Sequence, residues 1–276
     1  FWLSGFLLFW LSGSSVCWGG KYAADFLSIG VGAKALSLGG AAVANSDDAF
    51  SAYWNPATLT RVEKRSIGMM HASMFSGLEN FNFVSFISSI ENESIGISWA
   101  RLGIDDIPIY PELEGTPEER RENIYLQPSG EPSGYLNNSE NTYFLSYAHT
   151  FNKPLKFLFP IVSSFGINLK YITTSSGEMS SEGLGFDIGT LLSTKSESLS
   201  SRNKVFSQQG SVGFVVQDAT TTEVEWNSKH KDVIPFNLKL GTAYTMNFLS
   251  KLSFTFVLDL ETRYGLSSHI GFEAKL

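Results

Sequence analysis

From Arg65 onward apolar and polar residues alternate with a period of two, which is how a strand with two unlike faces reads. Leu252, Phe254, Phe256, Leu258 and Leu260 alternate with Ser253, Thr255, Val257, Asp259 and Glu261. Leu266, Ser268, Ile270, Phe272, Ala274 and Leu276 alternate with Ser267, His269, Gly271, Glu273 and Lys275. The same two-faced pattern recurs in Phe236, Leu238, Leu240 and Tyr244, in Phe165, Ile167, Leu169 and Tyr171, in Leu184, Phe186 and Ile188, and in Ile95, Ile97 and Trp99. With less regular runs at 66–75, 80–91, 141–151 and 209–219, the pattern predicts about ten strands, most of them about ten residues long. Soluble sandwich strands usually run to about five or six residues, whereas a tilted strand crossing a bilayer needs about 9–11. One face carries Gly, Ser, Asn, Lys, Asp and Glu and suits a crowded, wet lumen; the other carries Leu, Ile, Val, Phe and Tyr and suits lipid. The expected fold is therefore all-β, a transmembrane antiparallel β-barrel, with a large secreted β-sandwich as the alternative.

Connections are expected to alternate between short and long. Glu91-Asn92-Glu93-Ser94 and Asn247-Phe248-Leu249-Ser250 read as tight turns, and the stretches 105–140, Ser193–Gln209 and Ala219–Val233 as long loops. The first holds Pro108, Pro111, Pro117, Pro128 and Pro132 and reads as an extended surface loop rather than a helix.

Ahead of the strands the pattern differs. Residues 1–20 contain no charge and pass from an apolar run to small residues, the order of a secretory signal peptide. A transmembrane anchor and a lipidated Cys17 are the alternatives. Without an initiator Met or a basic leader, the chain is expected to begin inside its signal. No later window offers 18 apolar residues in a row. Residues 21–62 form a Gly- and Ala-rich segment of short helical pieces, in which Ser46-Asp47-Asp48 offers a helix N-cap and Pro56 ends the turn before it. Residues 63–276 hold the strands.

Composition adds two points. Hydrophobic residues make up 43% and charged residues only 17%, with 22 Phe, 10 Tyr and 6 Trp, so the chain as a whole is not disordered. The net charge of −7 argues against nucleic acid as the main partner, because a polyanion needs a basic surface. Nine acids and two bases fall between Asp105 and Glu140, so this one stretch carries the whole imbalance. Cys17 is the single cysteine, and a mature chain cut after it would rely on a hydrogen-bonded sheet rather than disulfides.

Gly30-Val-Gly-Ala-Lys-Ala-Leu-Ser-Leu-Gly39-Gly40-Ala41, then Ala44, Asp47-Asp48-Ala49, then Tyr53-Trp54-Asn55-Pro56-Ala57 and Leu59 resemble the N-terminal signature of the outer-membrane barrels in the long-chain fatty acid transporter (FadL-like) superfamily. Within it, they most resemble the branch containing PorV/PorQ-like proteins and an uncharacterised spirochaete set. The resemblance implies a barrel of 14 strands in the bacterial outer membrane with the N-terminal segment folded inside as a plug, where Gly39, Gly40 and Ala41 would let backbone approach the wall. It also implies that strands are missing after Leu276, which would leave a sheet edge unpaired.

Chemistry is sparse. His71, His149, His230 and His269 are far apart, with no spaced metal pair, and no Gly-x-Ser-x-Gly or phosphate loop is present. His269, beside Ser267 and Ser268, is the best single candidate, yet no catalytic residue, metal site or cofactor is expected. Asp47 and Asp48 read as a cation site or ligand path on one side and as an N-cap with a helix-dipole partner on the other. Asn55, Pro56 and Ala57 read as a structural turn or a ligand contact. With Gly39 and Gly40 these form the possible ligand path through the plug. The expected function is passive uptake of hydrophobic molecules such as long-chain fatty acids, with the lipid bilayer as partner. The alternatives are an accessory that docks secreted proteins, as PorV-like proteins do, or a surface adhesin, with secreted or host proteins bound at the acidic 105–140 loop.

Overall fold

The computed structural model describes residues 23–126, 130–156, 160–194, 197–198, 206–248 and 252–275. The expected signal peptide, Cys17 and Leu276 lie outside these residues. Among the described residues thirteen strands form one antiparallel sheet: β1 (Arg65–Met74), β2 (Glu79–Ile90), β3 (Glu93–Ile109), β4 (Gly134–Lys156), β5 (Pro160–Ser176), β6 (Met179–Thr194), β7 (Glu197–Ser198), β8 (Phe206–Gln217), β9 (Thr222–Trp226), β10 (Lys231–Ile234), β11 (Asn237–Phe248), β12 (Leu252–Glu261) and β13 (Ser267–Lys275). The ten long strands follow one another in chain order across the sheet, β1-β2-β3-β4-β5-β6-β8-β11-β12-β13. The short β7 pairs with β8, and the β9–β10 hairpin lies beside the start of β6.

Alternation along each strand sorts side chains as the sequence pattern requires, and with the polarity inverted relative to a water-soluble sheet. On β5, Ser164, Asn168 and Lys170 are buried while Phe165, Ile167, Leu169 and Tyr171 are exposed. On β12, Thr255, Val257 and Asp259 are buried while Phe256 and Leu258 are exposed. Neighbouring strands keep this phase because the register is continuous: Ile167 sits opposite Tyr147 and Ile188, and Asn168 opposite Ser146 and Asp187. A slip of one residue would turn every strand inside out.

The polar face is buried because residues 23–62 lie against it. A methyl group placed on Gly68 of β1 would meet Ala49, and one on Gly271 of β13 would meet Leu38. Ala49 and Leu38 are close in the chain, so the sheet must curl around this segment to present its first and last strands to it. Among the described residues no ladder joins β1 to β13.

Several expectations are corrected. Most of the long strands have 9–12 residues, as expected, but four outrun this: β3 and β5 have 17, β6 has 16 and β4 has 23. The supposed 105–140 loop shrinks to 110–133, because the β3–β4 ladder continues through Ile109 and Gly134 after a bulge between Ile104 and Ile107. That loop does contain a helix, Pro117–Glu122, closed by a capping box in which Thr116 and Glu119 satisfy each other's backbone N–H groups, with a proline in its first turn. Proline is pre-set for that position and loses no hydrogen bond there, so a proline-rich stretch can still open a helix. Ala219–Val233 holds the β9–β10 hairpin. Of the polar Ser193–Gln209 stretch, 195–196 and 199–205 lie outside the described residues; β6 and β8 extend into its two ends, on the side of the sheet that carries the tight turn Glu91-Asn92, since ladder hydrogen bonds do not require apolar side chains. The other end carries Phe75–Leu78, 110–133, 218–236 and 262–266.

Candidate functional site: the interior contacts of the N-terminal segment

Residues 23–62 run along the buried face from the loop-bearing end to the tight-turn end. At the start, the Ala23 N–H donates to the Val233 carbonyl (3.4 Å), and Phe26 packs edge-on against Phe81 of β2 with ring centroids 6.5 Å apart. Phe50 and Tyr53 pack on Phe83, and Tyr53 also on Phe144. The Tyr53 hydroxyl donates to the Leu27 carbonyl (2.5 Å) and accepts from the Gly30 N–H (3.1 Å); burial pushes its pKa up. The Trp54 indole N–H donates to the Val31 carbonyl (2.9 Å).

The helix Ala33–Ser37 ends at Gly39 (φ 67°) and Gly40 (φ 84°), a left-handed pair in which the Gly40 N–H reaches back to the Ala35 carbonyl (2.9 Å). Left-handed backbone is available to glycine without a Cβ penalty. The turn sends Ala42 and Val43 toward β12, where both backbone N–H groups donate to one oxygen of Asp259 (2.7 and 2.8 Å). On β13, a ring nitrogen of His269 lies 2.7 Å from the Gly39 carbonyl, and its other nitrogen 3.7 Å from Glu261.

Asn55 is fully buried. Its amide donates to the carbonyls of Val43 (2.8 Å) and Thr190 (3.2 Å), and its side-chain oxygen accepts from the Ala57 N–H (3.0 Å). It thereby caps the 3-10 turn Pro56–Arg61, with Pro56 at the first position. Arg61 at the end of that turn donates to the Ala44 carbonyl (2.7 Å), to Ser193 (2.8 Å) and to Ser211 (2.5 Å). Asn168 and Gln217 donate from the sheet to the carbonyls of Ala52 (2.8 Å) and Tyr53 (3.2 Å).

Glycines on the strands make this approach possible. A methyl at Gly166 would overlap the backbone of Pro56 and Ala57, one at Gly189 the Asn55 amide oxygen, and one at Gly213 the Val43 carbonyl. Three neighbouring strands thus give up side chains where the Asn55-Pro56-Ala57 turn touches them. Beside this contact lies a buried ion network. Lys170 bridges Asp187 (2.7 Å) and Asp218 (2.5 Å), and Arg263 reaches Asp218 (3.1 Å). All four side chains are at most 4% exposed, and charges removed from water to this degree persist only when paired.

The anticipated residues divide into two groups. Gly39, Gly40, Asn55, Pro56 and Ala57 come together on the buried face. Asp47 and Asp48 do not join them: Asp47 pairs with Lys34 at 2.6 Å at the surface, and Asp48 accepts from the Phe50 N–H (2.9 Å) ahead of the helix Ser51–Trp54, with burial raising its pKa. Among the described residues no group of three His, Cys, Asp or Glu side chains is placed to hold a metal ion. Sequence reasoning missed Arg61, Asn168, Lys170, Asp187, Asp218 and Asp259. The available signal was their phase: Asn168, Lys170, Asp187 and Asp259 fall on the face that alternation assigns to the interior, where a charge needs a partner.

The family model of the type IX secretion system protein PorV matches residues 21–264, from the start of the interior segment to the turn after β12. No curated protein matches the chain. The match covers the interior segment and the sheet from β1 to β12 together, and supports the PorV-like branch of the resemblance drawn from Gly30 to Leu59. The chain belongs to the family of the type IX secretion system protein PorV and is a protein of the bacterial outer membrane.

Proposed function

We propose that this protein is an outer-membrane accessory of type IX secretion that docks secreted proteins at the end of the sheet carrying the long loops. The observation that carries the reading is the family match over residues 21–264. The exposed Phe, Ile, Leu and Tyr side chains of β3, β4, β5, β6 and β8 form the lipid-facing wall in this reading, and the ten long strands cross the bilayer with their tight turns in the periplasm. Residues 23–62 act as a plug. The plug also weighs against passive uptake of fatty acids, because the strand glycines leave Asn55, Pro56, Ala57 and Val43 no clearance from the wall. No catalytic role is assigned to any residue.

The test is a gene deletion scored for two outputs at once. Secreted proteins are expected to accumulate inside the cell while uptake of labelled oleate stays at the parental rate. Unchanged secretion with reduced oleate uptake would overturn the reading in favour of a lipid channel.

A further inference from the structure

The β3–β4 hairpin runs past its neighbours at the loop-bearing end: Ile107, Pro108 and Ile109 still pair with Leu136, Tyr135 and Gly134, beyond Gly103 and Asn138, where the ladders to β2 and β5 stop. Its tip carries large apolar side chains that no other described residue covers: Tyr125 is 93% exposed and Ile124 73%, and Ile109, Tyr110, Leu113 and Tyr135 are also exposed. The tip is nonetheless ordered locally. Thr116 and Glu119 cap the helix Pro117–Glu122, Arg120 donates to the carbonyls of Glu114 and Gly115, and the Tyr125 N–H donates to the Asn123 side chain (3.0 Å). Clustered apolar exposure on an ordered tip marks a contact surface, and tyrosine gives much contact area for little lost freedom.

Charge selects the occupant. Between Tyr110 and Tyr125 five glutamates face two arginines. The phosphates of a lipid surface would be repelled by that excess, and so would the same tip on a second copy. We infer that the β3–β4 tip binds a secreted client protein through a surface whose apolar centre receives Ile124 and Tyr125 and whose rim is basic. The inference rests on the docking function proposed above and adds the site and the partner's chemistry.

The test places a photo-crosslinking amino acid at Tyr125 in the full chain in its native cells, with Leu184 on the lipid-facing wall as the control position. Crosslinks from position 125 are expected to reach secreted proteins at a Lys- or Arg-bearing segment. The double variant I124S/Y125S and the charge reversal E118K/E119K/E122K are each expected to lower secretion at least fivefold at unchanged levels in the outer membrane. Crosslinks to lipopolysaccharide, to a second copy or to an acidic segment, or none at all, overturn the inference. So does normal secretion in both variants, and if the gene deletion still blocks secretion the docking function survives that failure.

Discussion

The interior segment and the β3–β4 tip are both built of short helical pieces without regular strand, yet they are constrained in opposite ways. Residues 31–62 are held from the sheet by Asp259, Asn168 and Gln217 and hold it in turn through Asn55 and Arg61. Almost every bond goes from a side chain to a backbone group far away in the chain. The tip is held by Thr116, Glu119, Arg120 and Asn123, all within a few residues of what they bond. Long-range bonds fix a segment against its surroundings, whereas local bonds fix only its own shape. The first region is thus part of the wall, and the second is a rigid shape offered to solvent.

This contrast can be broken from the interior outward. The largest effect is expected for Gly166→Leu, because the added side chain meets the Pro56-Ala57 backbone, which the Asn55 cap prevents from moving. Overpacking usually costs about 1–3 kcal/mol, and more where no neighbour can yield. Heat-modifiable migration on gels should disappear; its retention would mean that the segment can shift off the wall. Next is Lys170→Met, which leaves Asp187 without its buried cation and Asp218 with Arg263 alone and should cost about 3–5 kcal/mol. Urea unfolding in detergent should show a markedly lower midpoint, partly restored by adding Asp187→Asn.

Asn55→Ala removes a cap and leaves the Val43 and Thr190 carbonyls short of a donor, for about 1–3 kcal/mol in the same unfolding assay. The smallest effect belongs to the tip. The Thr116 N–H bonded to the Glu119 carboxylate holds its pKa below the ordinary 4.5. A lowered pKa of this kind adds helix stability above the ordinary value, and the contribution is lost as pH falls through the lowered one. Proteolytic nicking between Pro117 and Glu122 should therefore increase under acid with no change in gel migration. A coupled change in migration would show that the tip and the wall are one unit.

Much of this arrangement is legible in the chain. Period-two alternation located all ten long strands, since a strand with one apolar and one polar face prints itself on every residue pair. The Gly- and Ala-rich stretch announced a segment that must approach other backbone closely. Strand ends were less legible. β4 runs on through Asn138, Ser139 and Glu140, whose polarity says loop although the ladder with β3 and β5 continues. The helix Pro117–Glu122 was masked by Pro117 and the prolines on either side of it, although Thr116 and Glu119 three residues apart carried the capping signature.

The sequence by itself determined which face of each strand is polar, that long polar stretches connect the strands, and that one stretch carries the net charge of −7. These are local properties, written by neighbours two to four residues apart. Only the tertiary structure decided that Asp259 would hold Ala42 and Val43 across more than two hundred residues, that Gly166, Gly189 and Gly213 would line up under one turn, and that Asp47 and Asp48 would stay outside it. Such meetings depend on the register and curl of the whole sheet. No window of residues short enough to show a pattern contains both partners.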